Sequence, residues 1–232
     1  MKTLIYVPII HTSADLGSIA KAVAKRGIAD LGEGFWEEHE KTIEGFWDAI
    51  AKCFDSIEVS GFKIYQDGMI ADEEVGRKIV EEGAKKGSKN HEIVLRLLER
   101  GAILVKTEDF SLVRKEYDYI KKLTQAKSMP GRMIAYLQYR LVRNGLLRQR
   151  DEFIARQINE TLERGETGIL FIGAAHRIIP LLPQWIQVRQ VKEVEKIREY
   201  QQIFQRIFLF RKETRKRFEE LARYLVSPVN QN

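Results

Sequence analysis

The chain has a single cysteine among 232 residues, only five prolines, and no apolar run near the roughly 20 residues that a membrane-spanning helix needs. One cysteine excludes an internal disulfide and any multi-cysteine metal centre, and it fits a cytoplasmic protein. Cys53 stands among helix-core residues in "DAIAKCFDSI" and reads as a buried small hydrophobe, not a nucleophile. Several signature loops are also missing. Without GxGxxG or GxxxxGK[ST], nucleotide binding by those loops is excluded, and without HExxH a helix-borne zinc protease is too. The absence of GxSxG removes the serine-hydrolase elbow. The opening "MKTLIYVPII" starts like a signal peptide, but its apolar run is short and no small-residue cleavage site follows, so it reads as a first strand.

What is present is enough apolar residue, 44%, for a sizeable core, and a net charge of +6 that is unevenly spread. Residues 1–127 carry −2, residues 128–164 carry +3 and residues 184–232 carry +5. A slightly acidic body with a basic end suggests a separate role for that end.

Hydrophobic periodicity divides the chain into alternating strands and helices. "TLIYVPII", "FKIYQDG", "AILVKTED" and "TGILFIG" read as buried strands. Helical patterns fall between them: one after Ser13 that stops at Gly27, one over 35–54, a pair over 72–86 and 90–100, and one over 110–127. Pro130, at a first-turn position, opens a long helix to about Arg164. A last long helix fills about 185–226. This order predicts an α/β fold with a mainly parallel sheet flanked by helices: an α/β domain over 1–183 and a basic helical extension over 184–232.

Ligands of such sheets bind beyond the carboxyl ends of the strands. His11, Asp67, Glu108–Asp109 and His176 each follow the end of a predicted strand, so one rim of the sheet gathers imidazoles and carboxylates. That set suits a divalent metal with an activated water, or a metal-free His–carboxylate pair. Spacing does not separate the two. Glu108 and Asp109 also read as a helix N-cap. Glu33, between Gly32 and Gly34, sits where backbone can approach a ligand closely. His39 in "WEEHEK" reads as a solvated helix residue, and His91, after Asn90, as part of a capping turn or of the site wall.

Residues 150–178, "RDEFIARQINETLERGETGILFIGAAHRI", carry Arg150-Asp151 at a helix, Ala155 four residues on, and a strand ending in Gly173 and His176. This resembles the C-terminal half of the superfamily that joins the TraB/GumN proteins, the erythromycin esterase-like proteins and the ChaN-like haem-binding lipoproteins. The resemblance implies a hydrolase acting on a small-molecule or peptide substrate. It makes His176, Glu33, Asp151 and Arg150 the catalytic set, with His176 as base or as metal ligand. In the metal-dependent form of the site, His11 and His176 hold a zinc or manganese ion. Asp151 then orients His176. "PIIHTS" departs from the family's first motif, with Pro8 in place of a glycine. Residues 65–109 resemble an uncharacterised bacterial and archaeal family.

The competing reading is a non-catalytic binding or assembly protein. Val191, Val194, Ile197, Phe204, Ile207 and Phe208 form a helical stripe that needs a partner surface, either the body or a second copy in a homodimer. The basic, aromatic "FQRIFLFRKETRKRF" adds nucleic acid or an acidic membrane surface as partners. Arg132, Arg140, Arg143, Arg150 and Arg164 share no single stripe and read as a solvated face.

Overall fold

The computed structural model describes residues 1–12, 15, 20–126, 128–206 and 212–229. Five strands form one all-parallel sheet: β1 Lys2–Ile9, β2 Lys63–Gln66, β3 Ile103–Leu104, β4 Thr167–Gly173 and β5 Ile186–Gln190, in the order β3-β2-β4-β1-β5. β1 and β4 lie at the centre, in register from Thr3 opposite Thr167 to Ile9 opposite Gly173. Their near-continuous apolar runs are buried on both faces, as central parallel strands require.

The helices are α1 Ala20–Leu31, α2 Glu33–Asp55, α3 Glu73–Lys85, α4 Lys89–Glu99, α5 Phe110–Gln125, α6 Met129–Thr161, α7 Val194–Arg206 and α8 Lys212–Val226. Right-handed crossovers fix their sides. The chain moves one way along the sheet from β1 to β2 to β3, so α1–α4 cover one face. It returns from β3 to β4, so α5 and α6 cover the other. The short turn at Ile179–Leu181, on the way to β5, packs against α6 on that second face. α8 then packs on α2, back on the first face.

The α/β architecture is as read from the sequence, but its last fifth is not. Residues 186–190 are an edge strand, not the start of a long helix, and the described residues beyond them hold two helices, α7 and α8. Val194, Ile197, Tyr200, Phe218, Leu221 and Leu225 belong to the same core as Leu4 and Phe171. The boundary at 183 is therefore corrected: the described residues of the last fifth, 184–206 and 212–229, complete the sheet and the core. Lys192, a buried member of the basic end, donates from Nζ to the Tyr224 and Ser227 carbonyls at 2.9 and 2.6 Å and closes the C-terminus of α8. The apolar stripe thus has its partner in the body, which removes the described part of the proposed dimer face. Ser13 and all of "IFLFR", residues 207–211 with Ile207 and Phe208, lie outside the described residues.

Two smaller expectations change. Gly27 does not stop α1. It lies inside the helix, and a Cβ there would fall 2.0 Å from the Trp36 ring. His39 is not solvated: it is buried on α2, its Nδ1 lies 2.7 Å from the Tyr200 hydroxyl, and Phe204 stacks on it at 3.6 Å. Cys53 is buried and free, as expected.

Asp109 caps α5 as expected, accepting from the Ser111 and Leu112 amides at 2.8 and 3.1 Å. Asp109→Ala should cost about 1 kcal/mol in urea denaturation. A loss below about 0.3 kcal/mol would mean that α5 is held by packing alone.

Candidate functional site

The loops after β1 and β2 turn to one face of the sheet, and those after β3 and β4 to the other. Adjacent strands with loops diverging in this way open a crevice at their carboxyl ends. A cleft of about 490 Å³ lies there, within the usual size for a small-molecule site. Its walls include His11 after β1, Asp67 after β2, His176 after β4, Arg150 from α6 and His91 from α4.

β4 ends at Gly173, and the His176 amide returns to the Gly173 carbonyl at 3.0 Å, folding His176 back over the strand end. The Gly173 amide donates to Asp67 Oδ2 at 3.1 Å, and a Cβ at 173 would come equally close to that oxygen. A glycine there lets β4 and the β2 turn meet edge to edge. From α6, Asp151 reaches the same turn with both oxygens: Oδ1 lies 2.5 Å from His176 Nδ1, and Oδ2 accepts from the Arg177 amide at 2.9 Å. Nδ1 therefore carries a proton, and Nε2 points to Asp67 Oδ2 at 3.5 Å. Arg198 of α7 braces the turn from outside, donating to the Ala174 and His176 carbonyls at 2.9 and 3.3 Å.

One helical step away, the Arg150 guanidinium sits among three carboxylates. Nε donates to Glu108 Oε2 at 2.9 Å and Nη2 to Asp67 Oδ1 at 2.7 Å, with further contacts to Glu108 Oε1 and Glu116. Glu108 is fully buried, and Arg150 and Asp151 nearly so. Arg150 is thus not part of a solvated face.

These contacts move the titrations apart. Burial opposes a charge on His176, yet the Asp67 charge and the hydrogen bonds to Asp151 and Asp67 outweigh it, and its pKa is pushed up to about 10. Burial likewise opposes ionisation of Asp67, but His176 and Arg150 hold its carboxyl well below the usual carboxylate range. In Glu108, burial prevails over the Arg150 hydrogen bond and the pKa rises. At neutral pH the site holds an imidazolium beside an ionised aspartate.

The far wall is polar as well. Ser88 caps α4 by accepting from the His91 amide, and its Oγ lies 2.8 Å from His91 Nδ1. His91 Nε2 meets the side-chain nitrogen Nε2 of Gln66 at 3.0 Å. Burial lowers the pKa of His91, so this ring is a neutral hydrogen-bonding group.

Of the expected residues, His176, Asp151 and Arg150 come together. His11 lines the same cleft but is exposed and lies outside the cluster. Glu33 does not join them: it is the exposed first residue of α2 and lines no part of the cleft, so its glycine neighbours serve the helix start, with Gly32 at φ 85°. Asp67 and Glu108 stood at the expected rim, but nothing in the sequence linked them to Arg150. Arg198 was hidden within a basic segment.

Asp67, Glu108 and His176 bring ligand atoms within 4.8 Å of one another, the one set among the described residues that could surround an ion. Its donors fit a metal poorly. The Glu108 oxygens and Asp67 Oδ1 already accept from Arg150, so the guanidinium stands where a cation would stand. A zinc or manganese ion would have to displace it and also remove the Nε2 proton of His176.

Compared with protein-family models, curated proteins and solved structures, the chain matches none.

Proposed function

We propose that the cleft is the active site of a hydrolase that works without a metal, through a protonated His176 and an ionised Asp67. The observation that carries this reading is the placement of His176 between Asp151 and Asp67 at the carboxyl end of the sheet. The resemblance of residues 150–178 to the TraB and erythromycin esterase-like proteins agrees with it.

In this reading a water in the cleft is oriented by Asp67 Oδ2. As the water oxygen bonds to the electrophilic centre of the substrate, its proton passes to Asp67. In the same step the scissile bond breaks, with the Nε2 proton of His176 going to the leaving group. A carboxylate with so low a pKa is a weak base in isolation. Once His176 gives up its proton, however, Asp67 loses the charge that held it ionised, and its proton affinity rises as the water needs it. Asp67 then returns the proton to Nε2 across the 3.5 Å gap, and the site is reset. Asp151 is a positioning residue: it holds Nδ1 and aims Nε2. Arg150 keeps Asp67 ionised and fixed.

The test is hydrolysis of a panel of chromogenic esters, amides and phosphoesters, comparing wild type with His176→Asn and Asp67→Asn and assaying metal content in parallel. Each substitution is expected to lower kcat/KM at least about 100-fold. Wild-type activity should survive a chelator and fall as pH approaches about 10, where His176 loses its proton. An activity untouched by both substitutions in folded protein would sink the proposal. Stoichiometric metal that leaves with His176 would overturn its metal-free form.

A further inference from the structure

α5 and α6 form a hairpin on the second face of the sheet. α6 has 33 residues, about 50 Å of helix. Only its C-terminal part is tied into the core, through Ile154, Ala155 and Ile158. Toward its N-terminus, Met129, Met133, Leu137 and Leu141 recur every four residues and are all exposed, Leu141 at 84%, with Ile134 beside them. Four-residue spacing sets these side chains along one line of the helix. α5 buries no residue fully.

The charge of this hairpin is as unusual as its apolar surface. Residues 110–149 hold nine Lys and Arg and two acids, a net +7 in a chain of net +6. Both acids are engaged: Asp118 with Arg114, and Glu116 with Arg150 and Tyr139. Among the described residues no carboxylate pairs with Lys115, Lys121, Arg132, Arg140 or Arg143, all of them exposed. The basic C-terminal segment is different, since Lys196 pairs with Glu193 just before α7, and Arg198, Arg215 and Arg217 pair with acids on α7 or α8.

A second copy of this face would set like charges against each other. A nucleic acid would satisfy the arginines but give four aliphatic side chains nowhere to go. We infer that the α5–α6 hairpin docks on an anionic lipid bilayer, with the Met129–Leu141 line in the acyl boundary and the lysines and arginines at the phosphates. No helix among the described residues is long and apolar enough to cross a membrane, so the contact is peripheral.

The test is co-flotation of the full chain with vesicles of phosphatidylcholine and phosphatidylglycerol, against vesicles of phosphatidylcholine alone. Binding is expected to be at least about tenfold stronger to the anionic vesicles and to weaken as salt is raised. Leu137→Glu with Leu141→Glu, and separately Arg132→Glu with Arg140→Glu, should each weaken it at least about tenfold. All four positions are exposed, and unchanged circular dichroism would verify the fold. Equal binding to both vesicle types, or none to either, overturns the inference. So does binding to RNA or DNA that the leucine variant retains, or a solution dimer that the leucine variant dissociates.

Discussion

Replacing Arg150 with methionine is expected to destabilise the fold by about 3–5 kcal/mol at neutral pH, the range for removing one partner from a buried ion pair. The cause is what is left behind. Asp67, Glu108 and Glu116 all contact this one guanidinium, and Glu108 is fully buried. Methionine fills much of the volume but returns no charge and no donors. The three carboxylates keep single hydrogen bonds, from the Gly173 amide to Asp67, the Gly68 amide to Glu108 and the Tyr139 hydroxyl to Glu116. They lose the cation they share, and for buried Glu108 protonation is the relief. Glu108 already has a raised pKa, from burial above all and from the neighbouring Asp67 charge. Without Arg150 the folded-state pKa of Glu108 rises further, and Asp67 loses one of the charges that hold its carboxyl ionised. Between the unfolded and folded values the native state holds more protons, so the stability of the variant improves as pH falls. The deficit against wild type should therefore be smaller at about pH 5 than at about pH 8 in paired urea denaturations. Arg150→Lys should recover part of the loss, because it restores the charge without the fork that reaches several oxygens at once. A deficit below about 1 kcal/mol, or one that does not change with pH, would show that the carboxylates are hydrated and not dependent on Arg150.

This dependence on one arginine bears on how much of the molecule was legible in its sequence. β1, β2 and β4 stand out because central parallel strands are apolar on both faces, and "LIYV" and "ILFI" show it directly. β5 was hidden for the converse reason. "IQVRQ" is an edge strand with only Ile186 buried, and its valine continues a helical spacing into Val191, Val194 and Ile197. Local pattern cannot decide between the two periods there, whereas pairing with β1 does. The site divides in the same way. Asp151 and His176 were readable because their motif places them at a helix and at a strand end, elements with a known relation in such folds. The partners of Arg150 were not, because Asp67, Glu108 and Glu116 come from three other places in the chain and meet only through the sheet order. His39 was misread because the charges flanking it in "WEEHEK" suggest solvent. Its own position, three residues after Trp36 and four before Ile43, puts it on the buried face of α2.

The second large effect concerns the other cation and runs in the opposite direction with pH. His176 has a folded-state pKa of about 10, set by Asp67 and Asp151 against the cost of burial, and an ordinary value of 6.5 when unfolded. A group whose pKa is raised on folding contributes stability that is fully present below the unfolded value and is lost as pH rises through the folded one. Each pH unit in that interval is worth about 1.4 kcal/mol, so the contribution has a ceiling of about 5 kcal/mol. His176→Asn removes it and leaves Asp151 without the imidazole it holds, although the Arg177 amide still donates to its other oxygen. Wild type should thus exceed His176→Asn in stability by several kcal/mol near neutrality, and the gap should narrow steadily above about pH 7 and be largely gone beyond about pH 10. Lysines and tyrosines that titrate in this range are common to both proteins and cancel in the difference. Arginine does not deprotonate here, so the Arg150→Met deficit should stay open at alkaline pH, where the His176→Asn deficit closes. Paired denaturation curves across that range separate the two. If the His176→Asn gap were constant, the imidazole would be neutral in the native state, and the proton donor assigned to the cleft would not exist.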